Sequence, residues 1–144
     1  MSLFFQASEV GEDFHKTVRP PYLWGVAAAL GAFLLYALTL APTTAFWDAS
    51  EYIATAHTLG IPHPPGNPFF IVLAKVWSLL LAPTGFSVAV RINLFAAATS
   101  AAATGFFYLV AHRVLCGIFL DRRLARVAAL ASSLIGATSF TVWN

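Results

Sequence analysis

From Tyr22 to Ala41 the chain reads YLWGVAAALGAFLLYALTLA, without one charged side chain. About 20 helical residues cross a hydrocarbon core of ~30 Å, so this run constrains everything built around it. Pro20 and Pro21 stand just before it and Pro42 just after it, marking both ends. The rest of the chain agrees: 59% of the 144 residues are hydrophobic and 10% are charged, against about 25% charged in soluble domains. The expected fold class is an all-α membrane protein, with about three transmembrane helices plus interfacial helices in the first outward loop. No A-x-A cleavage site of a signal peptide follows the first apolar run.

Two further spans are expected. Residues 92–110 contain FAAATSAAATG, and small residues of this kind let neighbouring helices approach closely in lipid. Residues 127–143 are again rich in Ala and Ser, and Trp143 is placed as an interfacial anchor. The segment Pro68 to Ala82 (PFFIVLAKVWSLLLA) is short for a crossing and carries Lys75 near its middle. The positive-inside rule weighs against its crossing, because Arg113, Arg122, Arg123 and Arg126 would then face outward. An interfacial helix instead keeps Lys75 at headgroup level, with Phe70, Ile71, Trp77 and Leu81 entering the lipid boundary. The expected topology is a cytoplasmic tail over 1–21, spans at 22–41, 92–110 and 127–143, and an outward loop over 42–91. In a bacterium this would be the inner membrane. The net charge of +2, with basic residues scattered beside apolar spans, gives no nucleic-acid surface. The single Cys116 excludes an internal disulfide and a thiolate metal cage.

The outward loop holds the residues suited to chemistry. PTTAFWDASEYIATAHTLGIPHPPGNP runs from Pro42 to Pro68. Asp48 and Glu51 are three apart, so on a helix both carboxylates share one face at its first turn. The helix dipole there lowers their pKa values and mutual repulsion raises them, a setting in which either carboxylate serves as a general base. The competing interpretation is structural, with Asp48 as N-cap and Glu51 closing a capping box. HPPG, from His63 to Gly66, is a stiff turn that presents His63 either to a phosphate or sugar hydroxyl, or to a nearby carbonyl. His57 lies six residues beyond Glu51, on another helix face. No ligand spacing among these groups matches a known metal pattern, and no metal is expected. Arg91, followed by Asn93 at the outer mouth of the second span, is a candidate clamp for a lipid-linked phosphate or an ordinary headgroup contact.

Read together, LTLAPT, FWDASEYIATAHTLGIPHPPGNPFF, VRINLFAAATSAA and SFTVWN resemble the N-terminal part of the DUF2723 membrane protein family. Relatives of that family include a protein O-mannosyltransferase of animal cells, and it resembles the wider GT-C glycosyltransferases. The resemblance covers Leu38 to Asn144. It implies a transferase using a polyprenyl-phosphate-linked sugar and no other cofactor, with Asp48 as the catalytic acid or base and Glu51 as its partner. His63 and Arg91 would then bind substrate. GT-C proteins have about ten or more crossings, whereas this length accommodates about three. The expected partners are therefore the bilayer and either a C-terminal part or other membrane subunits. The alternative is a truncated accessory subunit packed in a larger membrane complex, bioenergetic or otherwise.

Overall fold

A computed structural model describes residues 20–44, 48–64, 66–118 and 121–142, with side chains described up to residue 138. The expected tail over 1–21 falls almost entirely outside these residues, as does Trp143. Among the described residues the fold is all-helical. Five α-helices follow in order: α1 Tyr22–Leu38, α2 Ala49–Thr58, α3 Pro68–Leu80, α4 Val88–Ile118 and α5 Arg122–Val142, with a short 3₁₀ turn Ala82–Thr84 between α3 and α4.

The chain chemistry explains each boundary. Pro42 has no N–H to donate to the carbonyl four residues back, and it disfavours helix at Ala41. Accordingly α1 stops at Leu38, with the Thr39 backbone N–H and Oγ1 both bonding the Leu35 carbonyl. The helix is thus shorter than the expected span by its last turn. Leu59 ends α2 in a left-handed conformation (φ 58°), and the Gly60 N–H closes back on the Thr55 carbonyl at 2.9 Å. Pro68 opens α3, where a missing N–H does no harm. Gly85, at φ 76°, turns the chain into α4. Asp121 caps α5 by accepting the Arg123 N–H at 2.8 Å.

Helix α4 is the spine. Its 31 residues make it the one described helix long and apolar enough to cross a membrane. Its charged side chains are Arg91 and Arg113, which lie ~33 Å apart at 1.5 Å per residue, close to the ~30 Å hydrocarbon thickness. Helix α1 packs antiparallel to it: Gly25 meets Gly105 and Leu109, while Ala41 is reached by Asn93. Helix α5 returns beside both, and the Tyr36 hydroxyl donates to the Ala137 carbonyl at 3.1 Å. Buried Ala28, Ala32, Ala101, Ala129 and Ala137 line the seams, with Tyr108 the largest side chain enclosed. The outward faces stay apolar, with Leu23, Leu30 and Leu34 of α1 and Phe106, Phe107 and Val110 of α4 exposed. This is the inverse of a soluble surface.

Helices α2 and α3 form a second layer over the beginning of α4. Ile53, Ala56, Ile71, Ala74, Ile92 and Phe95 are buried together there, with Tyr52, Phe70 and Trp77 packed against them. This corrects the expected orientation of α3. Phe70, Ile71 and Trp77 face protein, and the exposed face is Phe69, Val72, Val76, Leu79 and Leu80. The reason is that Phe95 sits between Phe70 (ring centroids 5.3 Å) and Trp77 (5.9 Å), and tilted aromatic pairs add to apolar burial. The Lys75 Nζ donates to the His57 carbonyl at the C-terminal end of α2.

The α1–α4 seam yields a test. A Cβ placed on Gly105 would lie 2.8 Å from the Gly25 carbonyl oxygen and 3.0 Å from Ala29 Cβ, and backbone cannot give way cheaply. Gly105→Ala is expected to destabilise the protein by ~1–3 kcal/mol through overpacking. Gly136→Ala, whose Cβ meets nothing within 4 Å, is expected to be neutral or slightly stabilising. Thermal unfolding of both variants in detergent checks the contrast; equal behaviour would remove the close contact from the account.

Candidate active site

Asp48 and Glu51 stand at the start of α2, and the geometry separates them. Asp48 is the residue before the helix, yet its side chain makes no capping hydrogen bond. The capping box is therefore not formed, and the Glu51 carboxylate is engaged elsewhere. Glu51 accepts two hydrogen bonds from one residue: the His63 backbone N–H to Oε1 at 2.7 Å, and the His63 ring Nδ1 to Oε2 at 2.7 Å. Asp48 Oδ2 lies 3.8 Å from the other ring nitrogen, Nε2. Sequence spacing placed the two carboxylates on one face; His63 joins them across twelve residues.

The HPPG segment makes this possible. The Gly66 N–H bonds the His63 carbonyl at 2.9 Å, closing a tight turn, and Gly66 takes φ 69°. The turn brings the His63 N–H and ring to the same side as the first turn of α2. Asn67 then donates from Nδ2 to the Tyr52 hydroxyl at 2.6 Å. Tyr52 stands edge-on to Phe70, with ring centroids 5.6 Å apart, so the loop is tied to the aromatic core beneath it. Asn93 of α4 holds the other approach, donating to the carbonyls of Ala41 (3.0 Å) and Thr43 (3.2 Å). Tyr52, Asn67 and Asn93 are thus positioning residues. The Asn immediately before Pro68, in a segment otherwise poor in donors, was the available signal for the second of them.

The remaining candidates are placed differently. Arg91 does not join the carboxylate cluster: its Nη1 donates to the Ser78 carbonyl at the end of α3 at 2.6 Å, while its Nε is buried without a partner. His57 lies outside the group of donor atoms formed by Asp48, Glu51 and His63, which fall within 4.8 Å of one another. That span would admit a cation, but the histidine–carboxylate hydrogen bonds account for the arrangement as it stands.

The electrostatics follow from the contacts. The hydrogen bond from the His63 side chain, followed by that from its backbone, holds the Glu51 carboxyl below its ordinary value of 4.5. The same hydrogen bond, then the charges of Glu51 and Asp48, raise His63 above its ordinary 6.5. The two directions define one pH window. The Glu51 contribution is complete above 4.5 and fades as pH falls through its depressed pKa. The His63 contribution is complete below 6.5 and fades as pH rises through its elevated pKa. The loop is therefore expected to be best ordered between about 4.5 and 6.5, loosening on either side. An NMR titration of the His63 ring is expected to give a midpoint above 6.5 that drops in Glu51→Gln. A midpoint indifferent to that substitution would refute the pairing.

Comparison of the sequence with known proteins identifies its family. Residues 48–144 match the family described as the protein O-mannosyl-transferase TMEM260 N-terminal domain. The protein O-mannosyl-transferase tmem260 of Dictyostelium discoideum is 33% identical over 79 residues, which is 55% of this chain and 10% of that protein. The mouse protein O-mannosyl-transferase TMEM260 is 36% identical over 89 residues, 62% of this chain and 12% of that protein. The chain therefore spans about a tenth of the length of these curated relatives. No solved structure matches it. The matched region begins at Asp48 and takes in Glu51, His63 and Arg91. It covers more than half of the sequence, and the chain belongs to the protein O-mannosyl-transferase TMEM260 N-terminal domain family.

Proposed function

We propose that this chain forms the acceptor-activating part of a membrane glycosyltransferase that moves a sugar, mannose by analogy with its relatives, from a polyprenyl-phosphate carrier to a protein hydroxyl. The observation that carries this reading is the unequal treatment of the two carboxylates. Each Glu51 oxygen accepts a hydrogen bond from His63, whereas Asp48 makes no cap bond and is about half exposed. A general base needs a free oxygen within hydrogen-bond reach of the hydroxyl it deprotonates, and Asp48 meets that requirement. Glu51 then orients His63, whose Nε2 faces the same space as Asp48. As an imidazolium, His63 would stabilise the ionised Asp48 and offer a donor to a phosphate or sugar oxygen.

With α1, α4 and α5 as the crossings, this site would sit at one face of the bilayer. Helix α3 then lies at the interface, which agrees with its thirteen residues (~20 Å) and with its packing against the beginning of α4, around Val88, Ala89, Ile92 and Phe95. With the arginines at the far end inside, the loop over 42–91 faces outward. Arg91, anchored to the Ser78 carbonyl with its Nε unpaired, remains the best cationic group on that side for a carrier phosphate.

Mannosyl transfer to a peptide by the full-length protein that carries this segment tests the reading. Asp48→Asn is expected to lower turnover by about 10²-fold or more, the usual contribution of a general base, with thermal stability unchanged. Glu51→Gln is expected to reduce turnover and shift the alkaline limb of the pH profile downward, because His63 loses the group that raises its pKa. Unchanged turnover in Asp48→Asn would overturn the assignment.

A further inference from the structure

The end of the bundle opposite the carboxylate site carries a second feature. The beginnings of α1 and α5 enclose a half-open groove of about 290 Å³, lined by Trp24, Arg123, Arg126, Val127 and Leu130. Its walls are largely apolar, but two guanidinium groups stand at its rim. Arg122 precedes Arg123 at the start of α5, and Asp121 is the carboxylate described beside them in the chain. Asp121 accepts the Arg123 backbone N–H. Among the described residues neither Arg123 nor Arg126 has a carboxylate within ion-pair distance. Arg126 is half-buried and donates through Nε to the Arg122 carbonyl at 3.3 Å, which steadies its side chain along the groove.

We propose that this groove binds the headgroup of an anionic glycerophospholipid. The phosphate would sit between Arg123 and Arg126, where planar guanidinium donors match its oxygens. An acyl chain would run along Val127 and Leu130, and Trp24 would take the headgroup level, as indole does at membrane boundaries. Charge complementarity selects the occupant. Two arginines that meet no carboxylate among the described residues, beside apolar walls, fit a ligand that is anionic at one end and hydrocarbon at the other, and a basic pocket between membrane helices is suited to such a lipid. The site is independent of sugar transfer, and its test does not use that reaction.

Native mass spectrometry of the detergent-purified chain, offered phosphatidylglycerol and phosphatidylcholine in equal amounts, resolves each lipid adduct readily on a 15.5 kDa polypeptide. Wild-type protein is expected to retain phosphatidylglycerol with roughly tenfold preference, as expected for attraction by two basic residues. Arg123→Gln/Arg126→Gln is expected to bring that preference close to unity, whereas Arg122→Gln, outside the lining, keeps it. Circular dichroism of each variant separates loss of binding from loss of fold. Three results would overturn the proposal: equal retention of both lipids by wild-type, an undiminished preference in a folded double variant, or displacement of phosphatidylglycerol by an equal amount of polyprenyl phosphate.

Discussion

The contact between Gly105 and the Gly25 carbonyl decides how the rest of the molecule is arranged. A side chain at Gly105 would meet the Gly25 carbonyl oxygen at 2.8 Å and push α1 and α4 apart, because backbone cannot give way as a flexible side chain can. With the backbones in close contact, α1 runs antiparallel to α4 along a seam of alanines, and α5 returns beside both, fastened through Tyr36 and Ala137. The pairing also gives the bundle two chemically different ends. One gathers the exit of α1 with the entry of α4; the other gathers the entry of α1 with the turn into α5.

At the first end, the spine projects past the α1 seam and provides a platform. Ile92 and Phe95 receive α2 and α3, and Asn93 of the same turns fixes the backbone leading to Asp48. The exposed carboxylates thus rest on a buried aromatic cluster, through Tyr52 and Phe70, and not on a free loop. Such support is what a functional group needs to hold its geometry, since a rigid element beneath it limits the positions it can take.

Much of this was legible in the residues, and the exceptions have a common cause. Prolines 21, 42 and 68 announced helix ends, the small residues before Phe106 announced a close seam, and the spacing of Asp48 and Glu51 announced a shared face. The facing of α3 was not legible, because PFFIVLAKVWSLLLA is apolar nearly all round. No periodicity separates a face that meets protein from one that meets lipid. Lys75 and Arg91 also donate to carbonyls at helix ends, His57 and Ser78, contacts that the headgroup and phosphate readings did not include. Those carbonyls become neighbours only once α2, α3 and α4 have packed. The Glu51–His63 pair is hidden for the same reason: it spans a helix and a proline turn, and no local rule joins its halves.

That pair also explains why two carboxylates three residues apart need not compete for one role. His63 removes the symmetry. It commits Glu51 as an ionised acceptor through Nδ1 and the backbone N–H, which leaves Nε2 and Asp48 facing each other at 3.8 Å, too far for a hydrogen bond. The gap keeps the Asp48 oxygens available while the nearby ring supports their negative charge. A histidine held by one carboxylate thus frees the other for a ligand, and Asp48 is the carboxylate on which the proposed chemistry rests.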